Sequence, residues 1–163
     1  MKLDVVSVIR CYSVDKYYYM QEALKEAKKA YKKKEVPVGA VLVYQDKIIA
    51  RAHNLRERKQ NVFTHAEVLA IKKANKKFKC WHLEDCELYV TLEPCPMCAG
   101  AIIQARLKRV YFGAYDFKGG CGGSVLNLFN YRFQNPDIIL EGGILEEECR
   151  DLIKSFFKEL RKK

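Results

Sequence analysis

His65, Glu67, Cys95 and Cys98 are the residues whose types and spacing can do chemistry. They stand in Thr64-His65-Ala66-Glu67 and, further along, in Pro94-Cys95-Pro96-Met97-Cys98. One imidazole and two thiolates fill three positions around a tetrahedral zinc and leave the fourth for water. A glutamate two residues past the histidine can then move protons without binding the metal. Each residue also has a plainer reading. A Cys-x-x-Cys pair serves structural zinc sites, which need a fourth protein ligand, and Cys121, His53 or His82 could supply it. His65 alone could be a core histidine with a satisfied ring. Glu67 alone could be a carboxylate that complements a helix N-terminus. Taken jointly, with a proline before and inside the cysteine pair, the residues favour the catalytic arrangement.

The surrounding sequence shows what must position them. Met20, Ala23, Leu24, Ala27 and Tyr31 recur at i, i+3, i+4 spacing and predict a helix over 16–34, with lysines off the stripe. Residues 1–15 carry no clear period and read as a loose arm or an added strand. Residues 36–43 read as a strand with Pro37 near its start, where a missing donor is tolerable. Gln45-Asp46 is a tight turn, and 47–52 is the return strand of a hairpin. The charged stretch 54–61 reads as a loop over the site. Helices follow over 64–76 and 96–105, the second with Pro96 in its first turn. Strands are expected at 88–92, 108–112 and 138–140. Ser124 is a candidate cap for a short helix through Phe129, after the flexible run Gly119 to Gly123. A final helix from about Leu145 places Leu145, Cys149, Leu152, Ile153, Phe156, Phe157 and Leu160 on one face.

Alternation of helix and strand after the hairpin predicts a mixed α/β sheet with helices on both faces. The expected architecture is three-layer α/β/α, with a central sheet of about five strands. His65 and Glu67 fall in the first turn of one helix, and Cys95 and Cys98 in the first turn of another. Both helices follow strands, so their N-termini should converge at one edge of the sheet. Two positive helix ends there favour thiolate and hydroxide.

The 163 residues suffice for one domain, taken as 1–163, and 49% of them are hydrophobic, so the chain should fold. Lys+Arg exceed Asp+Glu by 30 to 20, a net charge of +10. That surplus suits a polyanionic partner, or simply keeps a basic protein in solution. No signal core or run of apolar residues long enough to span a membrane is visible, so a cytoplasmic location is expected. Seven cysteines, an odd number, argue against a disulfide framework.

The arrangement His-x-Glu with Pro-Cys-x-x-Cys is the known signature of zinc nucleobase deaminases. These residues resemble the cytidine deaminase-like superfamily and, within it, the tRNA-specific adenosine deaminases of bacteria. The likeness runs over about 17–163. It is carried by Glu35-Val36-Pro37-Val38-Gly39-Ala40-Val41, Ala52-His53-Asn54, Thr64-His65-Ala66-Glu67, and Leu88 through Gly100. Phe112-Gly113-Ala114, Lys118-Gly119-Gly120-Cys121 and the ending Phe156 to Lys163 extend it. Two places depart from the pattern. Asn61-Val62-Phe63-Thr64 stands where many relatives have Pro-Thr-Ala before the histidine, so an aromatic should reshape the pocket rim. Tyr115 stands where some relatives carry arginine.

The resemblance implies deamination of adenosine to inosine at the wobble position of a tRNA anticodon, with one Zn2+ per subunit held by His65, Cys95 and Cys98. It makes Glu67 the proton carrier and Asn54 a base-binding amide; Asn54 read alone is a turn residue ending a strand. The Ala66 backbone and Val38 are further base contacts, Val38 being equally good strand core. Lys158, Arg161, Lys162 and Lys163 become RNA contacts at the basic end, and a homodimer is implied. The alternatives are deamination of a free base or nucleotide such as guanine, cytidine or deoxycytidylate, and a catalytically silent zinc module that binds RNA.

Overall fold

The computed structural model describes residues 5–131 and 137–162, and for residues 5–15 the backbone path only. Five strands form one mixed sheet in the order β2-β1-β3-β4-β5. They are β1 (Gly39–Tyr44), β2 (Lys47–His53), β3 (Cys86–Leu92), β4 (Arg109–Ala114) and β5 (Ile139–Glu141). β1 runs antiparallel to β2 and β3, while β3, β4 and β5 are parallel. Gln45 and Asp46 both take positive φ, the geometry of the tight hairpin turn between β1 and β2.

Helices α1 (Val5–Lys32) and α5 (Glu146–Leu160) cover one face. There Met20, Ala23 and Leu24 pack on Val41, Val43 and Tyr89. α3 (Ala66–Phe78) and α4 (Pro96–Gln104) cover the other, packing Ala70, Ala74, Ile102 and Ile103 on Leu42, Leu88 and Val110. The three-layer arrangement expected from the alternation is therefore present. The layers meet tightly at Gly39, where a Cβ would stand 2.1 Å from the Ala23 carbonyl oxygen and 2.3 Å from the Ala27 nitrogen. Only glycine lets the start of β1 touch the backbone of α1 so closely.

Several expectations are corrected. Helix α1 begins at Val5, where a loose arm or added strand was expected over 1–15; residues 1–4 lie outside the described residues. The stretch expected to be a loop contains a short helix, α2 (Arg56–Lys59). Ser124 caps nothing. A 3-10 turn over Leu128–Asn130 is capped instead by Asn127, whose side chain accepts from the Phe129 N–H, because the Ser124 hydroxyl is bonded elsewhere. β1 starts at Gly39 rather than residue 36. On α5, Cys149 and Phe156 are buried, but Phe157 and Leu160 stand in solvent, so the expected apolar face outruns the core beneath it. Among the described residues no helix is long and apolar enough to cross a membrane.

Candidate metal centre and active site

Four segments end at the same edge of the sheet: the lead into β1, the end of β2, the end of β3 and the end of β4. Around them lies a cavity of about 150 Å3. Val38, Asn54, His65, Ala66, Glu67 and Cys95 all line it. Sequence reasoning placed these six at the site, and the structure brings them together.

The metal-type donors come from two helix starts. His65 is the N-cap of α3 and Cys95 the N-cap of α4, each in extended backbone with no side-chain capping bond of its own. Pro96 follows at the first helical position, where it sacrifices no hydrogen bond. Cys98, one turn on, points back to Cys95. His65 Nδ1 lies 3.7 Å from Cys95 Sγ and 3.5 Å from Cys98 Sγ. All three donor atoms fall within 4.8 Å of one another. A tetrahedral zinc with ordinary Zn–N and Zn–S bonds requires N···S separations of about 3.6 Å. The donors fit that ion.

No other His, Cys, Asp or Glu donor among the described residues joins the three within that range. The three residues named as possible fourth ligands are occupied elsewhere. His53 Nδ1 sits 3.0 Å from Glu26 Oε2 and its Nε2 2.8 Å from Lys33 Nζ. His82 packs edge-on to Trp81. The buried Cys121 turns its sulfur to the Gly119 carbonyl at 3.8 Å. Cys80, Cys86, Cys95, Cys98, Cys121 and Cys149 are all free of disulfides.

Electrostatics within the set divide the two thiols. The hydrogen bond from Cys98, aided by His65, brings Cys95 down to about 4. The same bond and burial push the Cys98 thiol up. The hydrogen bond to Cys95 raises His65. Burial pushes the Glu67 carboxyl up to about 7, and the negative charge at Cys95 adds to the rise. Glu67 is only 4% exposed, yet it borders the cavity. A carboxyl poised near neutrality beside a solvent-reachable donor set can both take and give a proton.

Asn54 takes the turn role read for it, and it also lines the cavity. Its Nδ2 donates to the Val36 carbonyl at 3.2 Å, and its Oδ1 accepts from the Arg56 N–H at 3.1 Å. Those bonds end β2 in a turn and lock the amide. One N–H and one oxygen lone pair remain for a ligand. Ala66 opens α3, so its N–H belongs to the helix donors without an intrahelical acceptor. Val38 is 8% exposed and serves both core and cavity. Phe63 stands 63% exposed and is not among the cavity's lining residues. Tyr115 packs edge-on to Phe112 and stacks with the outer Phe117. Lys158, Arg161 and Lys162 are exposed at the end of α5, and Lys163 lies outside the described residues.

Five lining residues had no role in the sequence reading: Val36, Arg56, Leu92, Glu93 and Asp116. Glu93 and Glu35 are both 1% exposed and hold the walls. Glu35 accepts from the Glu57 N–H at 3.1 Å and the Arg58 N–H at 2.6 Å, at the start of α2. The available signal was a carboxylate at the end of an apolar run, Glu35 just before Val36-Pro37-Val38 and Glu93 just after Leu92, two residues before Cys95.

Comparison with known proteins agrees with the geometry. Residues 14–161 match the family described as MafB19-like deaminase. The chain is 56% identical over 145 residues to the tRNA-specific adenosine deaminase of Bacillus subtilis (strain 168), covering 89% of this chain and 90% of that one. It is 45% identical over 146 residues to the tRNA-specific adenosine deaminase of Aquifex aeolicus (strain VF5), covering 90% and 96%. A solved structure from a study of A-to-I editing by tRNA:A34 deaminases superposes with a TM-score of 0.78 at 40% identity, over 83% of this chain and 98% of that one. The guanine deaminase of Nitrosomonas europaea shares the fold, with a TM-score of 0.75 at 21% identity over 86% of this chain and 83% of that one.

Proposed function

Because the chain belongs to the MafB19-like deaminase family, we propose that it hydrolyses adenosine to inosine at the wobble position of a tRNA anticodon, releasing ammonia. The observation that carries this reading is the grouping of His65, Cys95 and Cys98, with His65, Cys95 and a buried Glu67 all bordering one cavity. The high identity to tRNA-specific adenosine deaminases supplies the substrate.

A donor set of one nitrogen and two sulfurs suits zinc, and His65, Cys95 and Cys98 would hold it. When bound, such an ion supplies the Lewis acidity that brings the pKa of water toward neutrality. The remaining work falls to the chain. The Glu67 carboxylate takes a proton from the attacking water and delivers it to the ring nitrogen beside the amino-bearing carbon. The new C–O bond forms at that carbon. Glu67 then takes the remaining proton from the new hydroxyl and passes it to the departing nitrogen; the C–N bond breaks, the C–O bond becomes the carbonyl, and ammonia leaves. Asn54 and the Ala66 N–H offer donor and acceptor to the edge of the base, and Val38 gives it an apolar surface.

The target base must leave its stack to enter a cavity this narrow. Single-stranded loops allow that at little cost, which suits an anticodon loop. The exposed cations Lys158, Arg161 and Lys162, followed in sequence by Lys163, would meet phosphates, and the surplus of +10 supports this reading. A homodimer in the cytoplasm, each chain one domain over 1–163, completes the proposal; the resemblance supports the dimer, and sedimentation of the purified protein tests it.

Ammonia release from an anticodon stem-loop, run beside free adenosine, guanine, cytidine and deoxycytidylate, tests the substrate. Release from the stem-loop alone is the expected result. Turnover of a free base or nucleotide in preference to RNA would overturn it.

A further inference from the structure

The loop 116–124, whose first residue Asp116 lines the cavity, is built around one buried carboxylate. Glu93 Oε1 accepts from the Gly122 N–H at 2.8 Å and the Ser124 N–H at 3.0 Å. Its Oε2 accepts from the Asp116 N–H at 2.9 Å and from the Ser124 hydroxyl. Among the described residues no ion pair neutralises it. Burying a charge is expensive unless every lone pair is met, and here three backbone N–H groups and a hydroxyl meet it.

The loop's glycines follow from the same carboxylate. A Cβ at Gly120 would lie 2.4 Å from Glu93 Cδ and Oε2, and one at Gly122 would lie 3.3 Å from Glu93 Cγ and 3.0 Å from Phe112 Cε1. The main chain has to wrap the side chain at that distance for its N–H groups to reach. Neighbouring backbone bonds tie the same two segments: Glu93 N–H to the Ala114 carbonyl at 2.8 Å, and Cys121 N–H to the Pro94 carbonyl at 2.8 Å. Asp116, fixed at its own N–H by Glu93, turns its Oδ1 back to the Lys118 and Gly119 N–H groups and lines the cavity. Glu93 therefore stands two residues before a metal-type ligand and grips the loop that carries Asp116.

We propose that Glu93 is a positioning residue for the substrate: its carboxyl group sets the 116–124 loop, and the cavity-lining Asp116 within it, at the distance from His65 and Cys95 that the target base requires. The activity side of this inference rests on the proposed function, while the structural side does not. Glu93→Gln keeps the shape of the side chain but turns an amide N–H2 toward backbone donors. With its oxygen kept toward the Gly122 and Ser124 N–H groups, the amide sets its N–H2 against the Asp116 N–H, so that bond is lost, the Ser124 hydroxyl must turn to accept, and the remaining bonds are made to a weaker acceptor. Ser124→Ala removes a single bond and leaves the carboxylate in place.

The test measures amide hydrogen exchange, zinc per chain and steady-state kinetics on an anticodon stem-loop for wild type, Glu93→Gln and Ser124→Ala. In Glu93→Gln the Asp116, Gly122 and Ser124 amides should exchange at least about tenfold faster, while those of β1 and β3 keep their protection. KM should rise about tenfold or more with kcat changed by less than about threefold, the pattern of lost binding rather than lost chemistry. Ser124→Ala should shift both readouts the same way and by less. Unchanged exchange in the loop, a fall in zinc content, or uniform loss of protection across the sheet would each overturn the assignment. Should wild type form no inosine, the proposed function fails, and the exchange pattern still decides whether Glu93 holds the loop.

Discussion

The floor of the cavity is made from two helix starts, His65 at one and Cys95 with Cys98 at the other. Its surrounding segments are held by two glutamates to which sequence reasoning gave no role. At the floor, neighbours along the chain do most of the positioning: Pro96 fixes the first turn and three-residue spacing turns Cys98 back toward Cys95. At the walls, each carboxylate reaches across the sequence. Glu35 bonds residues 22 and 23 positions away, and Glu93 bonds residues 23 to 31 positions away. The floor decides what chemistry is available. On the proposed reading, the walls select the molecule that reaches it.

That contrast can be broken or sharpened by substitution. Cys98→Ala removes a fully buried donor from the floor. Zinc per chain should fall toward zero and deamination should drop by about 10^3-fold or more, since acid–base help without the metal has little to act on. Elemental analysis beside an inosine assay checks both, and a variant that kept its zinc and rate would show that the floor does not depend on this cysteine. Glu35→Gln acts on the wall alone. It loses charge-assisted bonds to the start of α2 and should cost about 2 kcal/mol in stability, read from urea unfolding, with zinc content unchanged. A loss of zinc there would erase the distinction between wall and floor. Deleting residues 161–163 removes cations that belong to neither. Affinity for the stem-loop should fall and the slope of log K against log salt should flatten by about 2, with kcat nearly constant. An unchanged slope would remove the basic ending from the interface.

Much of the floor was legible in the sequence because its information is local. The helical stripe through Ala70 and Ala74, the proline at the first turn of α4 and the spacing of the donors all sit within a few residues of the site. The mixed sheet with helices on both faces followed from alternation in the same way, whereas the strand order came from the structure alone. What was not legible depends on partners distant in sequence. Ser124 has the composition of a helix cap, but its hydroxyl is claimed by Glu93, and Asn127 caps instead. His53 has the composition of a ligand, but Glu26 and Lys33 hold its ring. Residues 5–15 lack an apolar stripe, so periodicity could not carry α1 back to Val5. Phe157 and Leu160 continue the stripe of α5 beyond the sheet it packs on, and a pattern cannot show where its partner ends.

The most direct test sets zinc per chain beside inosine formed at the wobble position, for wild type and Glu67→Ala under the same conditions. The account expects one zinc in both proteins and inosine from wild type alone, because the donors lie in His65, Cys95 and Cys98 while the proton travels on Glu67. Wild type without zinc, or a variant that forms inosine at close to the wild-type rate, would contradict it.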